Sequence, residues 1–235
     1  MAIAEADSLT PTEVLRAAWE ELGDGLVMTT AFGLEGSVIL HMIAREGLPI
    51  RVLTLDTGLF FQKTKETWAR LSEQLGLHIE GVLPELTLEE QAERHGPELW
   101  TRQPDLCCNI RKVQPLHRVL GEAKGWITGI RRDQTPERAN APRVGHEPRF
   151  DVIKVNPLVD WTAEQVRAYL IQHDIPYNPM FDDGYPSIGC EPCTQRVAAG
   201  GDERDGRWAG SEKRECGLHW DTGADGTIEL RRKAP

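Results

Sequence analysis

Between residues 26 and 83, short strand-like runs alternate with helical patterns, and this alternation leaves the chain few architectures. LVMTT, residues 26–30, is an apolar run suited to a buried strand. It leads through AFGLEG into a helical pattern that starts near Ser37 and carries Val38, Ile39, Met42 and Ile43 on its inner face. PIRVLTL, residues 49–55, gives a second strand ending in Asp56-Thr57-Gly58, followed by a helix over 61–75 and a strand over 78–83. Strand, glycine-containing turn, helix and strand in succession make the βαβ unit of a parallel sheet. Ligands of such sheets sit at the carboxyl ends of the strands, which puts AFGLEG and LDTG on the binding edge.

The remaining segments extend this scheme. Thr10-Pro11-Thr12-Glu13 is a capping box with proline at the first helical position, Val14, Leu15, Ala18, Trp19 and Leu22 share one face, and Gly23 ends the helix. A short helix is expected over 88–95, a helix from near Ile110, strands over 126–130 and 152–155, and a helix behind the Thr162–Gln165 capping box. Residues 131–150 form a polar loop with three prolines and five arginines. A loop of that length inside a compact domain is usually functional. From Ile175 onward, proline and glycine replace any helical or strand period. The expected fold is α/β, a mostly parallel sheet flanked by helices. Residues 1–199 are read as one α/β domain, and 200–235 as a flexible C-terminal arm.

With 235 residues the chain has the length of one α/β domain. It has no run of eighteen apolar residues and no basic-then-apolar leader, so we expect a soluble, cytoplasmic protein. A net charge of −10 argues against a nucleic-acid or anionic-membrane partner. Basic residues are nonetheless grouped at Arg111–Lys112, Arg131–Arg132, Arg204 with Arg207, and Lys213–Arg214. Local positive clusters on an acidic protein fit a small anionic ligand better than a polymer. No motif specifies an oligomeric state, and a homo-oligomer is compatible with the sequence.

Five cysteines are an odd number, which makes a disulfide framework a poor account of a cytoplasmic chain. Four fall into two doublets, the vicinal Cys107–Cys108 and the C-x-x-C pair Cys190 and Cys193. A vicinal pair closes only a strained disulfide. Four thiolates suit zinc or an iron–sulfur cluster, and spacing alone leaves both open. The fifth, Cys216, lies in KRECGLHW with Lys213, Arg214 and His219 within three residues. Cations raise the thiolate population, so Cys216 is the candidate nucleophile, although the same residue could be a half-buried structural cysteine.

Taken together, LDTG at 55–58, CC-x-x-RK at 107–112, GIRRDQ at 129–134, VNPL at 155–158, PYNP at 176–179, GYPSIGCEPC at 184–193, ERDGRW at 203–208 and ECGLH at 215–219 resemble one family. The chain is similar, from about residue 25 to 220, to the assimilatory phosphosulfate reductases, in the subgroup that carries a cysteine-bound cluster. The resemblance implies an adenine-nucleotide α-hydrolase-like, Rossmann-like fold related to ATP pyrophosphatases. It also implies reduction of adenosine 5′-phosphosulfate, or of its 3′-phosphorylated form, to sulfite and the nucleotide. Cys216 would attack the sulfur, and the resulting S-sulfocysteine would be released by thioredoxin.

By motif, Cys107, Cys108, Cys190 and Cys193 would hold a [4Fe–4S] cluster. Lys112, Arg138, Arg204, Arg207 and His219 would surround the phosphosulfate, because attack of one anion on another needs cations nearby. Leu55 and Gly129 match backbone contacts to the nucleotide, and Thr30 matches a hydroxyl position in the phosphate-side loop. Lys112, four residues past Cys108, is placed to couple cluster and sulfate.

The sequence departs from close relatives at Phe32 and Gly36, where a serine and an acidic residue are frequent, and at Gln62, where proline is common. Three other readings compete. The 3′-phosphorylated nucleotide could be the substrate, met by arginines of the 131–149 loop. An ATP pyrophosphatase-type adenylyl transferase would need an SGGxDS-type loop, of which AFGLEGS holds only part. In a non-catalytic zinc- or cluster-stabilised nucleotide-binding module, the exposed thiol of Cys216 and its cationic neighbours would be incidental.

Overall fold

The computed structural model describes residues 3–198, 200–209, 213 and 218. Its centre is a six-stranded sheet in the order β3-β2-β1-β4-β6-β5. The strands are β1 (Leu26–Thr29), β2 (Arg51–Leu55), β3 (Ile79–Val82), β4 (Gly125–Ile127), β5 (Val144–Glu147) and β6 (Val152–Val155). β1 runs parallel to β2 and β4, with Met28 opposite both Val52 and Ile127. β4 is parallel to β6, and β5 is antiparallel to it. Leu26, Val27, Met28, Val52, Leu53, Trp126 and Ile127 are all buried, as expected for strands covered on both faces.

Helix α1 (Pro11–Leu22) starts from the expected box, with the Thr10 side chain accepting from the Glu13 N–H and the Glu13 carboxylate accepting from the Thr10 N–H. Its Val14, Leu15 and Ala18 face inward. Helix α2 (Leu34–Glu46) begins earlier than the expected Ser37. Gly33 is its N-cap in extended backbone, and Phe32 makes the turn with φ +60° while its buried ring stacks on Trp68. The helix therefore starts where the chain leaves that turn. Helices α3 (Gln62–Leu75), α4 (Leu88–His95) and α8 (Ala163–Gln172) lie where the periodicity predicts, α4 and α8 each behind a complete capping box.

Two further segments differ from expectation. The polar loop contains strand β5, which the sequence conceals because its inward residue is Glu147 rather than an apolar one. Arg149 Nε and Lys154 Nζ each donate to that carboxylate at 2.9 Å, which makes its burial tolerable. Around the first cysteine pair the chain is helical almost throughout. α5 (Leu99–Arg102) and α6 (Pro104–Cys108) lead into a π-helical turn, Asn109–Val113, and then α7 (Gln114–Leu120). Pro115 has no N–H to return to the Arg111 carbonyl, and its ring crowds that carbonyl, so the wider turn just before it is the relaxed solution.

The chain divides into two compact units, each assembled from separated segments. The sheet unit comprises Met1–Thr54, Gln62–Gly81 and His117–Asn178. The thiol unit comprises Leu55–Phe61, Val82–Leu116 and Pro179–Pro235. Its small core packs Leu99, Cys107 and Ile110 against Leu86, Trp100 and Leu106. Among the described residues no helix is long and apolar enough to cross a membrane.

Candidate active site

The thiol unit brings the two cysteine doublets into one electrostatic environment. Cys107, Cys108 and Cys190 are buried and Cys193 is half-buried, all four as free thiols. Cys107 and Cys108 end α6, while Cys190 opens a 3-10 turn that ends at Cys193. Backbone bonds fix this turn: the Glu191 N–H donates to the Leu59 carbonyl at 2.8 Å, and Phe60 bridges to Cys190. The segment following LDTG thus carries the C-x-x-C pair. Within LDTG the Gly58 N–H donates to the Asp56 carboxylate at 3.0 Å, closing a tight turn.

Burial and the charges of Cys108, Cys190 and Cys193 push the Cys107 thiol up to about 12. Burial with Cys190 and Cys108 pushes Cys193 up to about 11. Cys190 goes the other way. Burial alone would raise it, but the Lys112 ammonium, the Thr57 hydroxyl and Arg207 outweigh burial and hold it below the ordinary thiol value. Thr57 Oγ1 lies 3.3 Å from Cys190 Sγ and accepts the Leu59 N–H at 3.2 Å, which leaves its own hydrogen for the sulfur. Lys112 also hydrogen-bonds Cys190. The π-helical turn holds both basic residues of CC-x-x-RK, burying Arg111 and leaving Lys112 half-buried.

Arg111 donates to the Thr57 carbonyl at 2.6 Å, to Gln91 Oε1 at 3.1 Å and to the Leu86 carbonyl at 3.3 Å. Gln91 in turn points Nε2 at Cys107 Sγ, 3.9 Å away. One arginine thereby braces a neighbour of each doublet. Trp208 is buried with φ +48°, and its N–H donates to the Cys193 carbonyl at 3.0 Å. The charged ends of Arg207, Lys213 and Arg204 lie 4.5, 5.4 and 5.8 Å from its ring centroids. The Arg207 Nε and Trp208 Nε1 donors are buried and meet no hydrogen-bond acceptor among the described residues.

A thiol-held metal group suits this donor set. Raised thiols keep their protons until a metal displaces them, and two buried donors beside them await an acceptor. Among the described residues no three histidine, cysteine, aspartate or glutamate side chains converge as ligands of a single ion.

In the sheet unit, Thr30 follows β1, its N–H donating to the Leu53 carbonyl at 2.9 Å. Its Oγ1 accepts the Phe32 N–H at 3.0 Å. Any Cβ at residue 36 would come within 2.5 Å of that oxygen, which explains glycine there. Gly129 follows β4. Buried Arg131 donates Nε to Glu35 at 2.8 Å and also pairs with Asp133. Arg138 donates to Gln134 Oε1 at 2.6 Å. Arg132 and Arg143 both pair with Asp160, and Arg149 pairs with Glu147.

The residues singled out in the sequence thus fall into two sets. Thr30, Gly129 and Arg138 belong to the sheet unit; Leu55, the last residue of β2, belongs to the thiol unit with Lys112, Arg204, Arg207 and the four cysteines. Cys216 and His219 lie outside the described residues. Thr57, Gln91, Arg111 and Trp208 were given no role in the sequence reading. Thr57, Arg111 and Trp208 stand inside quoted motifs, whereas Gln91 sits on an ordinary polar helix and carries no signal.

The class defined by a mostly parallel nucleotide-type sheet with a caged set of thiols agrees with comparisons to known proteins. Residues 25–196 match the phosphoadenosine phosphosulfate reductase domain. The chain is 48% identical over 208 residues to the adenosine 5′-phosphosulfate reductase of Bacillus cereus (strain B4264), covering 88% of this chain and 89% of that protein. It is 47% identical over the same length to the adenosine 5′-phosphosulfate reductase of Bacillus mycoides (strain KBAB4). Among solved structures, phosphoadenylyl-sulfate reductase from Candida auris, in a phosphate complex, is similar with a TM-score of 0.73 and 33% identity. That match covers 83% of this chain and 93% of the other. Yeast FAD synthetase shares only the fold, at 15% identity and a TM-score of 0.54. The chain belongs to the phosphoadenosine phosphosulfate reductase family, whose sheet has the adenine-nucleotide α-hydrolase-like form.

Proposed function

We propose that this chain reduces adenosine 5′-phosphosulfate to sulfite and AMP in the assimilation of sulfate in the cytoplasm. The relatives that share nearly half its residues over most of its length carry that activity in their names. The observation that carries the reading in this chain is the pairing of Lys112 and Arg207 with the thiol cage at Cys190. The arginines of the 131–149 loop also bear on the choice of nucleotide. Arg131, Arg132, Arg143 and Arg149 each face a carboxylate, which favours a substrate without an additional 3′-phosphate.

The Cys216 thiolate would attack the sulfur of the phosphosulfate. An S–S bond forms, the S–O bond to the nucleotide breaks, and AMP leaves with the electron pair. A thiolate of reduced thioredoxin then attacks Cys216 Sγ and expels sulfite. Its second thiol resolves the mixed disulfide, so thioredoxin leaves oxidised and Cys216 returns as a thiol. Arg138, Arg204, Arg207, Lys112 and His219 would lower the repulsion between the thiolate and the sulfate oxygens. Thr30 and the backbone at Leu55 and Gly129 would hold the nucleotide at the strand ends.

Cys107, Cys108, Cys190 and Cys193 would hold a [4Fe–4S] cluster, as in the cluster-bearing subgroup the chain resembles, and their thiols already act on one another's charge. When bound, it supplies a fixed charge centre beside Lys112, the reducing equivalents coming from thioredoxin.

One variant tests the scheme. Anaerobic Cys216→Ser enzyme should keep its visible absorbance and its affinity for AMP, yet release no sulfite and show no +80 Da-type sulfo-adduct by intact mass. Full activity in that variant would falsify the mechanism. Parallel assays with the 3′-phosphorylated nucleotide test the substrate choice; an equal kcat/KM for the two would overturn it.

A further inference from the structure

We infer that Gln134 is a positioning residue for Arg138, through a relay that begins at the ion pair between half-buried Glu35 and buried Arg131. The inference rests on the reading above, in which Arg138 meets the phosphosulfate.

The chemistry of the groups fixes the direction of the relay. Glu35 stands in the first turn of α2, and its Oε1 accepts from Arg131 Nε at 2.8 Å and from Gln134 Nε2 at 3.2 Å. An ionised carboxylate only accepts, so the nitrogen end of the Gln134 amide must face it. The oxygen end is thereby turned away, toward donors. It receives the Arg131 backbone N–H at 3.1 Å and the Arg138 guanidinium at 2.6 Å. Arg131 itself is 2% exposed and pairs with Asp133 as well, so the base of the relay is rigid.

Backbone geometry brings the two ends together. Arg132–Gln134 and Pro136–Arg138 are consecutive 3-10 turns, joined at an extended Thr135. The Arg138 N–H donates to the Thr135 carbonyl at 3.0 Å. Pro136 fixes φ at the start of the second turn. Four residues after Gln134, the Arg138 side chain returns to the amide oxygen. An arginine held in advance loses less side-chain freedom when an anion arrives, which appears as tighter binding.

Gln134 could instead be a plain loop staple, and a double-mutant cycle separates the two. Gln134→Leu, Arg138→Ala and the double variant are compared with wild-type enzyme by steady-state kinetics on adenosine 5′-phosphosulfate and by thermal unfolding. Loss of one hydrogen bond to a charged group should raise KM in Gln134→Leu by about tenfold, with kcat changed by less than about twofold. In the Arg138→Ala background the same change should add almost nothing, because its target is gone. Gln134→Met, close to isosteric, should reproduce the Leu result and serves if Leu unfolds. An unchanged KM, or a fully multiplicative effect in the double variant, would overturn the relay. Wild-type enzyme that releases no sulfite would count against the proposed function instead, so the two failures are distinguishable.

Discussion

In the sheet unit, Arg131 faces Glu35 and Asp133, Arg132 and Arg143 share Asp160, and Arg149 and Lys154 close on Glu147. In the thiol unit, Lys112 and Arg207 bear on Cys190, and Arg204, Arg207 and Lys213 surround the indole of Trp208, with Lys213 also reaching Asp105. The same residue types therefore work differently in the two places. A carboxylate cancels the charge of the arginine it meets and uses it to pin a loop. In the thiol unit the cations instead meet a sulfur and an aromatic face, partners that a thiol-held group or an anion can share. On a chain with a net charge of −10, such a concentration marks the place where an anion can be met.

The largest effect that separates these uses is expected at Lys112. Lys112→Ala should retain the thiol-held group, seen as unchanged visible absorbance and iron content. Turnover should fall by roughly 100- to 1000-fold, the scale for loss of one electrostatic stabiliser at a reacting centre. Unchanged kinetics would sink the idea that this cation acts on chemistry. Glu147→Gln is the converse. It leaves Arg149 and Lys154 facing a neutral amide in a mostly buried site, so stability should drop by about 2–4 kcal/mol in denaturant titration. Burial raises the Glu147 pKa, but Arg149 and Lys154 outweigh it and hold the carboxylate below its ordinary value. Its contribution is thus present above the ordinary value of 4.5 and lost as pH falls from there toward the folded value. Turnover at 25 °C should stay within about twofold of wild type, and a large loss would erase the distinction between structural and functional cations.

Much of the sheet unit was legible in the sequence because its signals are local. Thr10 and Thr162 each begin a helix through bonds to a residue three positions later, and such boxes can be read directly. Strand β5 escaped because its inward position is filled by Glu147, whose partners Arg149 and Lys154 are known only once the strands pair. The cysteine doublets were equally visible, but Arg111 and Trp208 were not assigned, since their roles depend on contacts between distant segments. Arg111 spans Thr57, Leu86 and Gln91, and no spacing rule links those positions.

A smaller effect sharpens the comparison inside the thiol unit. A methyl group at Gly189 would fall 2.1 Å from the Arg207 guanidinium, so Gly189→Ala must displace that flexible end. Because a side-chain tip moves rather than backbone, the thermal midpoint should change little. The Arg207 charge would shift relative to Cys190 and Trp208, and kcat/KM should fall by about tenfold, the equivalent of roughly 1.4 kcal/mol. A stability loss without a kinetic one would place Arg207 among the structural cations.

The smallest expected effect lies in the sheet unit, at the junction of α2 and α8. His41 Nδ1 is 3.1 Å from the Tyr169 hydroxyl, and its ring centroid is 5.0 Å from that of His173. Burial first, then the charges of His173 and Arg45, lower the His41 pKa. A histidine with a depressed folded pKa binds fewer protons than in the unfolded chain, so stability rises with pH through that window. The contribution is complete above the ordinary value of 6.5 and declines as pH falls below it. The thermal midpoint should therefore drop on the order of a degree or two between about pH 7.5 and 5.5, and His41→Gln should flatten that part of the profile. Here like charges are kept apart by leaving the imidazole neutral, a third way of managing cations beside the carboxylate pairs of the loop and the thiols of the cage. An identical slope in the variant would assign the pH dependence to other groups.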